Sequence, residues 1–227
     1  MTCVGDHGRM PSNEFADRAD AGRQLARRLV RDLGGDAGLI VLALPRGGVP
    51  VAVPVAQALH APLDVWVVRK LGFPHNEELA LGALASGGTL VRSDVPGAAD
   101  IAQAHWQAVI AREQQELQRR EQRYRGSRRA PVLGGRTVVL VDDGLATGAT
   151  MLAAVRAVRA QAPQRVVVAV PVAAPEAVQL LAAEADEVCA LLVPAALRAV
   201  GLWYRDFDQT TDEQVLALLA STRDGDE

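Results

Sequence analysis

The sequence predicts a single α/β domain built on a central, mostly parallel sheet flanked by helices, and three observations carry that expectation. Short, nearly continuous apolar runs recur at GLIVLALP (38–45), LDVWVVRK (63–70), TVVLV (137–141), RVVVAVPV (165–172) and EVCALLV (187–193), the pattern of strands covered on both faces. Helix-like stretches lie between several of them, and short strand, helix, strand connections imply right-handed crossovers between parallel strands. A chain of 227 residues with 49% hydrophobic content can bury one sizeable core.

In chain order, residues 1–13 are expected to be a disordered N-terminus and 14–222 one domain, with its core at 38–209. Phe15, Ala19, Gly22, Leu25, Ala26, Leu29, Val30 and Leu33 fall at three- and four-residue spacing, so 14–34 reads as an amphipathic helix added ahead of the core. Gly34 and Gly35 end it. The first strand (38–45) is followed by a helix over 49–59 and the second strand (63–70). From Leu71 to Arg92 the rhythm breaks: Gly72, Pro74, His75 and Asn76 mark a loop, and LALGALASGGTLV folds as a hairpin about Gly87 and Gly88. Residues 98–125 form a long helical insertion whose second half interleaves acids and bases, which reads as a solvated helix or arm. After Gly134 and Gly135 come strand 137–141, helix 150–160, strand 165–172, helix 175–183, strand 187–193 and a short helix around 211–220.

A net charge of −3 and a pI near 5.8 provide no broad cationic field, which disfavours a nucleic-acid or membrane-surface partner. Cys3 and Cys189 lack metal-ligand spacing and suit a reducing compartment. No apolar stretch reaches the roughly 20 residues that cross a bilayer, and MTCVGDHGRMPSN lacks the apolar core of a signal peptide, so a cytoplasmic protein is expected. All but one of the 24 basic residues are arginine; the exception is Lys70.

The stretch VVLVDDGLATGAT (138–150) places two carboxylates at the end of an apolar strand and follows them with a loop of small or hydroxylated residues. Ligands of open α/β sheets bind beyond the carboxyl ends of the strands, where Asp142 and Asp143 stand. The helix after the loop begins with N–H groups that have no internal partner, and small residues let a phosphate approach them, with Thr147 and Thr150 adding hydroxyls. Carboxylates repel phosphate but suit hydroxyls or Mg²⁺, so the expected ligand has a phosphate at one end and a diol nearby, as ribose 5-phosphate does. No lysine follows Gly148 and no GxGxxG follows a strand, which sets aside the two commoner phosphate motifs.

VVLVDDGLATGAT resembles the phosphoribosyl pyrophosphate (PRPP) motif of the type I phosphoribosyltransferases. The resemblance implies that Asp142 and Asp143 hold the ribose hydroxyls directly or through Mg²⁺. It gives the 5-phosphate to the loop of Gly144, Leu145, Ala146, Thr147, Gly148, Ala149 and Thr150. ALPRGGVP (43–50) resembles the family's pyrophosphate loop, with Arg46 a bidentate donor and Gly47 and Gly48 allowing unusual backbone angles and close approach to an anion. Arg69 and Lys70, at the end of the second strand, would be a second pyrophosphate arm, Lys70 also serving catalysis by neutralising the leaving charge.

RKLGFPHNEELALGA resembles the flexible hood loop of this fold, and its RK-x-G opening is most like the adenine enzymes; Glu77 or Glu78 is a candidate acid or base. In the 6-oxopurine enzymes the position before Thr147 is an aspartate; here it is Ala146, and strand 165–172 has no lysine, which disfavours guanine or hypoxanthine as acceptor. VGLWYRDFDQ (200–209) resembles the family's base-covering end, where Trp203, Tyr204 or Phe207 would cover the acceptor and Asp206 would join Asp142 and Asp143 at the metal.

The implied reaction is Mg²⁺-dependent transfer of the 5-phosphoribosyl group from PRPP to a nitrogen nucleophile, expected to be a nucleobase, with release of pyrophosphate. Two alternatives stay open: a non-catalytic PRPP-sensing regulator, and an enzyme of another sugar phosphate. The acceptor is not specified, and the amphipathic N-terminal helix is compatible with a homodimer.

Overall fold

The structure, a computed structural model, describes residues 2–4, 15–73, 76–92 and 103–222. Six parallel strands form the larger sheet in the order β1 (Thr2–Val4), β9 (Glu187–Leu192), β8 (Arg165–Val172), β7 (Thr137–Val141), β2 (Leu39–Ala43) and β3 (Leu63–Val65). Alternate residues of its central strands enter opposite layers of the core, as a two-residue period requires. Ile40, Leu42, Val138, Leu140, Val166 and Val168 pack under α4 (Ala149–Arg159) and α5 (Pro175–Ala182). Val41, Ala43, Val139, Val141 and Val167 pack under α1 (Arg18–Leu33) and α2 (Gly48–Leu59). Both faces are covered, which is why these strands read as unbroken apolar runs.

The predicted helix at 14–34 begins at Arg18, where the Asp17 side chain caps it by accepting from the Asp20 amide at 2.6 Å. Within the stretch expected to lack structure, Thr2–Val4 instead supplies β1, an edge strand alongside β9, since β9 leaves one side of the sheet for it to pair with. The short C-terminal helix α6 (Asp212–Ser221) carries a reciprocal cap between Thr211 and Gln214.

Two expectations are corrected. The apolar run 63–70 is not one strand: β3 stops at Val65, and β4 (Val68–Phe73) belongs to a second, antiparallel sheet with β5 (Asn76–Ala85) and β6 (Thr89–Arg92). Val67 marks the change, its amide donating to Ser86 Oγ and its carbonyl accepting from the Ser86 amide, both at 2.9 Å. The hairpin about Gly87 and Gly88 is present as the β5 to β6 connection, with positive φ at both glycines. Residues 76–80 of the expected hood loop are strand, while Pro74 and His75 lie outside the described residues.

The second correction concerns α3 (Gln103–Arg125), which is docked rather than solvated along its length; 98–102 lie outside the described residues. Leu117 and Tyr124 are buried, in the same core layer as α1 and α2. At its end Arg125, whose side chain is 3% exposed, donates to Asp64 at 3.0 Å, Glu121 at 2.8 Å and the Val65 carbonyl at 2.7 Å. Among the described residues no helix is long and apolar enough to cross a membrane.

Candidate active site

Strands β2 and β7 run side by side with Ala43 opposite Val141. The chain order reverses between them, β3 lying outside β2 while β8 and β9 lie outside β7. The carboxyl edge at such a reversal is where open α/β sheets bind ligands. Both loops that leave it, 45–48 after β2 and 142–150 after β7, carry sequence-predicted site residues.

The two loops touch. A Cβ on Gly47 would lie 2.0 Å from Asp143 Oδ2, and one on Gly48 would lie 2.6 Å from the Val141 carbonyl oxygen and 3.0 Å from Asp142 Cα. Gly47 has helical angles (φ −60°, ψ −31°). Glycine is therefore required there by closeness to the protein's own carboxylate, and not by an unusual backbone angle. Arg46 stands half-exposed beside them, 4.0 Å from Asp212 at the start of α6.

Asp142 accepts from the Asp143 amide at 2.9 Å, and among the described residues nothing donates to its other oxygen. Burial lifts the Asp142 carboxyl well above the usual carboxylate range, and the adjacent Asp143 charge lifts it further. Burial also raises Asp143, against the opposing pull of Arg18. The Leu145 amide donates to Val172 at 2.9 Å and its carbonyl accepts from Ala174 at 2.8 Å, which pins the following loop to the end of β8. Ala146, Thr147 and Thr150 are exposed, and Gly148 turns the chain with φ 73° into α4. The first-turn N–H groups of α4 thus follow a loop almost without side chains.

Other predicted residues are placed differently. Arg69 and Lys70 do not end a strand of the larger sheet but are neighbours within β4, so their side chains leave opposite faces. Arg69 is held by Glu113 of α3 at 2.6 and 2.8 Å, and Lys70 is exposed. Glu77 and Glu78 fall in β5, where their side chains lie outside the described residues. Tyr204 is buried, its ring between Phe15 (5.3 Å) and Phe207 (4.8 Å), and its hydroxyl donates to the Asp143 carbonyl at 2.5 Å. Burial keeps this phenol protonated far beyond its ordinary range. A ring so enclosed cannot stack on an acceptor, and Phe207 is likewise engaged, with Tyr204 on one side and a guanidinium 3.8 Å from its centroid. Trp203 and Phe207 are each partly exposed, and of the two Trp203 has no ring or cation contact of this kind. Asp206 is exposed and does not gather with Asp142 and Asp143: no group of three or more potential ligands exists among the described residues.

The guanidinium on Phe207 belongs to Arg18, the residue that sequence reading passed over. Its Nε donates to Asp143 Oδ2 at 2.8 Å and its Nη1 to the Asp208 carbonyl at 2.7 Å. A signal existed: Arg18 is the first residue of α1, where the helix dipole disfavours a cation. Local rules broken in this way tend to mark functional positions.

Comparison with known proteins identifies the family. A family model described as a phosphoribosyl transferase domain matches residues 12–191. Relatives from two strains of Mycobacterium tuberculosis, provisionally named as phosphoribosyl transferases, are 50% identical over 206 residues, 90% of this chain and 46% of theirs. The chain spans about half the length of these curated relatives. The crystal structure of a Thermus thermophilus protein superposes with a TM-score of 0.82 at 49% identity, covering 92% of this chain and 98% of the other. The matched model takes in Arg18, the 45–48 loop and the 142–150 loop together. By the family model that spans most of its length, the chain belongs to the type I phosphoribosyltransferase family.

Proposed function

We propose that the protein transfers the 5-phosphoribosyl group of PRPP to a nitrogen nucleophile with release of pyrophosphate. One observation carries the reading: the 45–48 loop packs onto Asp142 and Asp143 at the reversal of the sheet, beside a bare loop that opens a helix. Residues 144–150 bind the 5-phosphate through backbone N–H groups, and Asp142 and Asp143 orient the ribose hydroxyls. Arg46 and the 45–48 loop take the pyrophosphate end. Placing C1 of the ribose between these fixed anchors is the main contribution, together with stabilisation of the departing charge.

The acids fit Mg²⁺. They are adjacent oxygen donors, Asp142 has an oxygen free of protein donors, and burial without a cation raises both carboxyls. Mg²⁺ is commonly held by one or two carboxylates plus substrate oxygens and water. Bound there, it would neutralise charge on the pyrophosphate.

Nucleobases other than guanine and hypoxanthine are the expected acceptors, since Ala146 replaces the aspartate those enzymes use. The test is pyrophosphate release from Mg²⁺ and PRPP across a panel of nucleobases; release with an acceptor supports transfer. The pairing of Arg69 with Glu113 favours one rival reading, PRPP sensing without chemistry, which predicts binding but no release with any acceptor.

A further inference from the structure

Asp143 is held at both ends by residues from outside the phosphate and pyrophosphate loops. Arg18 holds its carboxylate and Tyr204 its carbonyl, and both pack on Phe207. Arg18 also holds the Asp208 carbonyl, so the segment from Trp203 to Asp208 is tied to one motif acid twice, directly through the Tyr204 hydroxyl and indirectly through Arg18. The Arg18 side chain is 11% exposed, with two nitrogens bonded and its guanidinium over a ring, a fixed cation rather than a mobile surface arm. Gly47 stands against the same carboxylate oxygen, Asp143 Oδ2, that Arg18 holds. Among the described residues no donor reaches the second oxygen of Asp142 or Oδ1 of Asp143, so each acid keeps one oxygen for a ligand.

We propose that Arg18 is a positioning residue that couples the two sides of the site: it fixes Asp143 against the pyrophosphate loop and ties it to the 203–208 segment. PRPP binding and the order of that segment then rise and fall together. This rests on the PRPP reading above.

Trypsin supplies a reporter, because Arg205 is exposed within the tied segment. Calorimetry of Mg²⁺ and PRPP is combined with the rate of cleavage after Arg205, identified by mass spectrometry, for wild type, Arg18→Gln and Arg18→Lys. In wild type Mg²⁺ with PRPP slows cleavage. Arg18→Gln is expected to weaken PRPP binding about tenfold, the scale of one lost charged hydrogen bond, and to speed cleavage in a way PRPP no longer suppresses. A lysine keeps the charge beside Asp143 but cannot also lie flat on Phe207 and reach Asp208. Arg18→Lys should therefore recover most of the affinity and little of the protection, a split that general loosening of the fold would not produce.

Affinity within about twofold of wild type for Arg18→Gln, with protection by PRPP intact, overturns the proposal. If wild type fails to bind PRPP, the functional reading falls separately. The link is then judged by cleavage without ligand, and an unchanged rate in Arg18→Gln rejects it.

Discussion

At the scale of single residues, the site is defined by how little space surrounds Asp142 and Asp143. Gly47→Ala puts a methyl group where Asp143 Oδ2 now lies, so the acid or the loop must move. We expect a cost of about 1–3 kcal/mol in urea unfolding and at least a tenfold loss of PRPP affinity by calorimetry. Asp142 gives a prediction of opposite sign. Its raised carboxyl means that the folded protein holds this proton more tightly than the unfolded chain, so stability falls as pH rises from the ordinary carboxylate range to the folded value. Asp142→Asn removes that loss. The ligand-free variant should melt above wild type near pH 7, with the gap closing towards about pH 4, in thermal unfolding followed by circular dichroism. The two acids were legible from sequence because their meaning is local, a strand end before a bare loop. Arg18 was not, because its role lies in a partner 125 residues away.

At the scale of elements, the same apolar continuity that located the strands also hid one boundary. TVVLV and RVVVAVPV coincide with β7 and β8 because burial on both faces begins and ends with each strand. LDVWVVRK stays buried through Trp66 and Val67 while it passes from one sheet to another, so no polar residue marks the crossing and Arg69 and Lys70 were assigned to the wrong sheet. The charge-rich α3 was misread for a related reason: interspersed acids and bases suggest solvent, yet Arg125 and Asp64 pair under cover. Removing one partner of such a pair leaves a buried charge unmatched. Arg125→Met should therefore cost about 3 kcal/mol in urea unfolding, whereas Arg119→Met, on the exposed side of the same helix, should leave the unfolding midpoint almost unchanged.

At the scale of the whole molecule, fold and site arise from one topological fact. The sheet reverses its order between β2 and β7, and two short loops meet at that point. The larger sheet supplies the diacid and the 144–150 loop, while α1 and the 203–208 segment close over Asp143 from outside it. The most direct test of this arrangement is calorimetric titration of PRPP, with and without Mg²⁺, into wild type and Asp142→Asn. The account predicts wild-type binding that needs the metal and weakens at least tenfold in the variant. Equal binding by both proteins, or binding of ribose 5-phosphate but not of PRPP, would contradict it.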